Sequence, residues 1–137
     1  MIHRLKAYCG KKHLRKIRAF VEKVLKSHGM ADIEAYPIIL AVDEVCANLI
    51  IHSHYCNERE SFEVSIYYHD NSEIIFEIVD EGLAFTINQY SELDLNGIIK
   101  SRKKGGLGLM LVQRIMDSIE FGKKNNKNIC TMCKKIN

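Results

Sequence analysis

The chain has 137 residues, 47% of them apolar, with a single proline and a formal net charge of +3. That length and apolar content describe one domain over residues 1–137, with a core large enough to need no disulfide staples, and exclude a disordered chain. Its basic residues are scattered or sit in runs such as KSRKK (100–104) and KKNNK (123–127) without interleaved aromatics, so they read as solvated surface rather than a nucleic-acid patch.

In chain order, IHRLKAY (2–8) alternates weakly and predicts an edge strand. The N-terminal MIHRLKAYCGKK contains no signal-peptide apolar region, and a cytoplasmic protein is expected. Leu14, Ile17, Val21, Val24 and Leu25 then fall at helical spacing, with Gly29 as the stop. A second helix is expected from about Tyr36, with Pro37 in its first turn, to about His54; Ile38, Val42, Val45 and Leu49 form its core stripe. Its apolar stretches, PIILAV (37–42) and CANLIIH (46–52), are too short and interrupted to span a bilayer.

FEVSIYYH (62–69) and EIIFEIVD (73–80) carry period-two patterns rich in β-branched and aromatic residues, and Asp70-Asn71-Ser72 between them predicts a hairpin turn. Residues 86–104 are polar and irregular, a length of loop that in a compact domain is usually functional or mobile. Leu109, Val112, Ile115 and Met116 predict a third helix, and SIEFGK (118–123) and NICTMCKKI (128–136) a closing hairpin. Cys130 and Cys133 form a C-x-x-C, but within a strand they point to opposite faces, and no second pair of ligands has matching spacing. Structural cysteines rank above a metal or redox pair, and five cysteines in all suit a reducing compartment. The order β-α-α-β-β-loop-α-β-β predicts an α+β two-layer sandwich, a mainly antiparallel sheet with three helices on one face.

Three short motifs carry chemistry. KKGGLGLMLV (103–112) lacks the Lys-Ser/Thr of a Walker A loop, and it lacks the third glycine and the preceding strand of a dinucleotide fingerprint. A glycine-rich helix start remains, open to two readings: an anion site of backbone N–H groups, or a hinge that lets the helix pack tightly. In DEVCANLIIH, Glu44, Asn48 and His52 recur every four residues, about 40° apart per step, and so form one polar stripe beside the core stripe. An amide oxygen suits a hard cation and a carboxylate suits a proton acceptor; taken alone, the stripe reads first as an ordinary wet helix edge. In VDEGLAF (79–85), Asp80 ends an apolar strand and Gly82 follows, as a ligand acceptor or as an ordinary turn acid.

Taken in order, E-x-x-x-N, D-x-G and GGLGLMLVQRIMDSIEF resemble the N, G1 and G2 boxes of the Bergerat-fold ATPases, the histidine kinase-like superfamily. Within it they most resemble the anti-sigma-factor serine kinases, over nearly the whole chain. The resemblance implies ATP with Mg²⁺ as cofactors. It makes Glu44 the general base, Asn48 the Mg²⁺ ligand, Asp80 the acceptor from the adenine amine and Gly82 the close approach to the base. Residues 86–104 become an ATP lid; Gly105, Gly106, Leu107 and Gly108 become the phosphate-facing turn; and Lys104, or Lys103, a γ-phosphate contact, with a solvated charge run as the alternative. His52 resembles a histidine that either packs or meets nucleotide. The implied partners are a sigma factor, held inactive, and an antagonist protein phosphorylated on serine, the kinase acting as a homodimer without nucleic acid or membrane. Ala84 departs from D-x-G-x-G, which keeps open a nucleotide-dependent partner switch without phosphotransfer; a bare ATPase ranks third. The absence of a histidine-bearing dimerisation helix disfavours a histidine kinase.

Overall fold

The computed structural model describes residues 1–8, 10–52, 61–80, 106–125 and 127–136. It contains strand β1 (Ile2–Tyr8), helices α1 (Lys11–Ser27) and α2 (Asp32–His52), strands β2 (Ser61–His69) and β3 (Glu73–Asp80), helix α3 (Gly106–Ile115), and strands β4 (Ser118–Lys124) and β5 (Lys127–Lys135). Among the described residues the element order is the one expected. The strands form a single sheet in the order β1-β2-β3-β5-β4, and every pairing is antiparallel.

Strand alternation decides which face is covered. Phe62, Val64 and Ile66 of β2, Ile74, Phe76 and Ile78 of β3, and Cys130 and Met132 of β5 are all at most 3% exposed. They meet Ile17, Val21 and Leu25 of α1, Ile38, Val42 and Val45 of α2, and Val112 of α3 in one core. The result is the expected α+β two-layer sandwich, with helices on one face of an antiparallel sheet. Cys133, three residues beyond buried Cys130, is half-buried on the uncovered face. Among the described residues no helix is long and apolar enough to cross a membrane.

Local chemistry sets the boundaries. Gly29, at φ 84°, ends α1: its N–H bonds the Lys26 carbonyl at 2.9 Å, and the Met30 N–H reaches back to the Leu25 carbonyl at 3.2 Å. Asp70 and Asn71 adopt φ 51° and 57°, the left-handed pair that a tight β2–β3 hairpin requires. One boundary corrects the sequence reading. Helix α2 starts at Asp32, four residues before Tyr36, so Pro37 lies inside the helix and not in its first turn. Asp32 and Glu34 supply the acidic first turn that the dipole favours, and the Glu34 and Ala35 N–H groups both bond the Ala31 carbonyl at 3.0 Å. The missing N–H of Pro37 leaves the Ile33 carbonyl without its helix donor, and the helix tolerates this because Ile33 is 82% exposed and water can serve that carbonyl.

Candidate functional site

Helix α2 packs against α1 on one side and α3 on the other. It carries two of the predicted site residues one turn apart. Asn48 is 1% exposed, which makes it a buried polar group and not a wet helix edge. Its Nδ2 donates to the Glu44 carbonyl at 2.9 Å. A carbonyl accepts only from a donor, so the amide nitrogen must face the helix backbone, and the oxygen is left as the amide's acceptor for anything else. A buried amide needs such partners, because an unpaired one costs about 1–3 kcal/mol.

Glu44 is half-buried. Burial, and secondly the charge of adjacent Asp43, hold its carboxyl above the usual value of 4.5. A carboxylate raised in this way is a stronger base than a free glutamate. Asp43 is itself held from α1: Arg18 Nη1 donates to Asp43 Oδ1 at 2.9 Å. The sequence reading missed this pair. Its partners lie 25 residues apart, and no local spacing announces it.

The other predicted residues divide by element. Asp80 closes β3, the central strand, in register with Phe62 of β2 and Asn128 of β5. It follows Ile74, Phe76 and Ile78 in the i, i+2 series of that strand. Gly106, Leu107 and Gly108 form the first turn of α3, where backbone N–H groups have no partner within the helix. His52 is the last described residue of α2. Gly82, Ala84, Lys103, Lys104, Gly105 and the expected lid lie outside the described residues. The structure thus places Glu44 and Asn48 one turn apart, Asn48 bonded to the main-chain carbonyl of Glu44, and packs the helix bearing Gly106 and Gly108 against the helix bearing them.

These donors are amide oxygen, carboxylate oxygen and helix-start N–H. That chemistry fits Mg²⁺ and phosphate, a hard cation with oxygen ligands and an anion at a positive dipole end. Mg²⁺ carried on phosphates needs only one or two protein oxygens. Among the described residues no group of three or more His, Cys, Asp or Glu forms a metal cage.

Comparison with known proteins bears on the family and the fold. Residues 10–134 match the family described as the histidine kinase-like ATPase domain. The serine-protein kinase RsbW of Bacillus pumilus is 32% identical over 112 residues, covering 76% of this chain and 67% of its own. RsbW of Halalkalibacterium halodurans is 30% identical over 110 residues, covering 77% of this chain and 65% of its own. The chain therefore spans about two thirds of the length of these relatives. Two solved structures share the fold. The RsbU and RsbW domains of a Mycobacterium tuberculosis protein superpose with a TM-score of 0.67 at 12% identity, covering 98% of this chain and 32% of that one. The SiaB–SiaC complex of Pseudomonas aeruginosa superposes with a TM-score of 0.66 at 14% identity, covering 98% and 89%.

Proposed function

This chain belongs to the histidine kinase-like ATPase domain family, and on that premise we propose that it is an ATP-dependent serine protein kinase acting as a partner switch. Its substrate is a serine of an antagonist protein, and its second partner is a sigma factor that it holds inactive. The observation that carries the reading is the placement of Glu44 and Asn48 on α2: a half-buried carboxyl raised by burial, one turn from a buried amide whose nitrogen donates to the helix backbone.

ATP with Mg²⁺ supplies the phosphoryl group and neutralises its charge, and phosphoryl transfer asks the protein mainly for positioning and electrostatics. Asn48 offers its oxygen to the cation. Glu44 takes the proton of the substrate hydroxyl. The first-turn N–H groups of Gly106, Leu107 and Gly108 face phosphate oxygens, and Asp80 accepts from the adenine amine, which selects the base. Lys104, Gly105 and Gly82 complete the assignment by the family resemblance of their motifs. The relatives' name, serine-protein kinase, supports the reaction class. Strand β1, an edge of the sheet with Ile2 and Tyr8 exposed, supports a homodimer formed along that edge.

The test is phosphate transfer from ATP, with Mg²⁺, to an antagonist serine, followed by mass spectrometry. Glu44→Ala abolishes it; an unchanged rate removes Glu44 as the base. Ala84 favours a second reading, a switch that binds nucleotide and partner without phosphotransfer. Under that reading the antagonist is bound in the presence of ATP and never modified.

A further inference from the structure

Strand β5 carries a lysine where the pattern of the strand leads to the core. Cys130, Met132 and Lys134 follow one another at i, i+2 on the face of the sheet that the helices cover, and the first two are buried. Lys134 is in register with Ile74 of β3, itself fully buried. A half-buried lysine in that series must bring its cationic end to an acceptor. It finds one at the C-terminus of α3, where Nζ donates to the Ile115 carbonyl at 2.8 Å. The last carbonyls of a helix have no donor within it, and a cation there also meets the negative end of the dipole.

Two further bonds tie the turn after α3 to the same strand. The Asp117 N–H donates to the Cys133 carbonyl at 2.9 Å, and Asp117 Oδ2 accepts from the Lys135 N–H at 2.6 Å. β5 lies inside the sheet, paired with β3 and β4, so this end of α3 is fastened to an interior strand. Val112 and Met116 pack in the core, but apolar packing is non-directional, whereas the bonds at Ile115 and Asp117 have direction. At the opposite end, Gly106 and Gly108 have no side chain with which to pack. Along the axis Val112 stands about 9 Å from Gly106 and about 4.5 Å from Ile115. A rigid helix turning about Val112 therefore moves its start about twice as far as its end. A slip of about 0.5 Å at Ile115 becomes about 1 Å at Gly106, enough to spoil contacts that depend on placement.

We propose that Lys134 is a positioning residue for the nucleotide phosphates: by clasping the end of α3 to β5, it sets where the first-turn N–H groups of Gly106, Leu107 and Gly108 stand relative to Asn48 and Glu44 on α2. The proposal rests on the kinase reading above and deepens it, because a residue at the far end of α3 then governs the geometry of the phosphate site without touching nucleotide. The clasp borders a cavity of about 380 Å³ that Lys134 and Lys135 line together with Glu34 of α2. Glu34 shares that cavity and takes no part in the clasp, which makes it the control.

The test compares ATP with adenosine, which has no phosphate for α3 to meet. Proton–nitrogen NMR titration of the full chain reads Kd for ATP with Mg²⁺ and for adenosine, and the dispersion of each spectrum shows that the variant is folded. Lys134→Met keeps the apolar stem and removes the donor; Lys134→Arg keeps a cationic donor. The expected result is ATP binding at least about fivefold weaker in Lys134→Met, adenosine binding within about twofold of wild type, and ATP binding regained in Lys134→Arg. Asp117→Ala, at an exposed position, weakens ATP binding in the same direction and carries the test if Lys134→Met does not fold. Glu34→Gln leaves ATP binding unchanged. Wild-type ATP affinity in both clasp variants overturns the proposal. So does an equal loss of ATP and adenosine, which is general loosening, a failure of Lys134→Arg to regain ATP binding, or a loss in Glu34→Gln as large as in Lys134→Met. A wild-type chain that binds neither ATP nor adenosine overturns the nucleotide reading itself and this proposal with it, an outcome distinct from binding that the variants leave intact.

Discussion

Replacing Asn48 by alanine separates a structural role from a ligand role, because the two predict different magnitudes. Asn48 is 1% exposed and its Nδ2 makes one hydrogen bond, 2.9 Å long, to the Glu44 carbonyl. That carbonyl lies inside α2, where the helix ladder also uses it, so the substitution costs the net worth of one buried hydrogen bond, about 1 kcal/mol. A chain of 137 residues melts with an entropy of about 0.29 kcal/mol per degree, so that loss lowers Tm by about 3–4 °C. A ligand at one hundred times its Kd adds about 2.7 kcal/mol, or about 9 °C on the same scale. Differential scanning fluorimetry with ATP, with and without Mg²⁺, reads both effects. Asn48→Ala is expected to melt about 3–4 °C lower without nucleotide and to lose the Mg²⁺-dependent part of the ATP shift. If the variant keeps that part in full, Asn48 is a core amide and not a cation ligand.

Glu44 gives a pH signature. Its carboxyl is held above 4.5 in the fold, so the native state binds the proton more tightly than the unfolded chain, and this group's contribution to stability falls as pH rises from about 4.5 through the raised value. Glu44→Gln removes that cost: its Tm is expected to match wild type at pH 4 and to exceed it at pH 7, while phosphotransfer is lost. Phe76, fully buried on the central strand, costs about 3–5 kcal/mol when cut to alanine, measured as a fall in the urea midpoint at unchanged m-value. Asn71, at φ 57°, costs about 1–2 kcal/mol when replaced by valine and little when replaced by glycine; equal denaturation midpoints for the two variants would remove the turn argument.

Most of the fold was legible because its patterns are local. Period-two runs gave β2 and β3, Asp70-Asn71-Ser72 gave their turn, and helical spacing gave α1 and α3. Helix α2 was cut short at its start because a proline in the first turn is a strong cue, and here it misled; the acids Asp32 and Glu34 were the better signal. Within the site, the spacing of Glu44 and Asn48 was visible, but the depth of Asn48 was not, since burial at that end of α2 depends on packing from other elements. Arg18 and Asp43 are joined only by the packing of α1 on α2. The exposed stripe of Ile33, Tyr36 and Leu40 carried no motif, and within an apolar helix it reads as core until the fold shows which side is open.

The strand order bears on how the chain is made. β5 lies between β3 and β4, so the pairing that completes the sheet uses residues 127–135, although β3 ends at Asp80. During synthesis β1, β2 and β3 can assemble as a three-stranded antiparallel sheet while one edge of β3, with Phe76 and Ile78 beside it, waits for a strand translated much later. A ribosome stalled before residue 127, or a nick that removes β5, leaves that apolar edge open to other chains. Such fragments are expected to aggregate or be cleared, and the last strand to act as a checkpoint on completion of the domain.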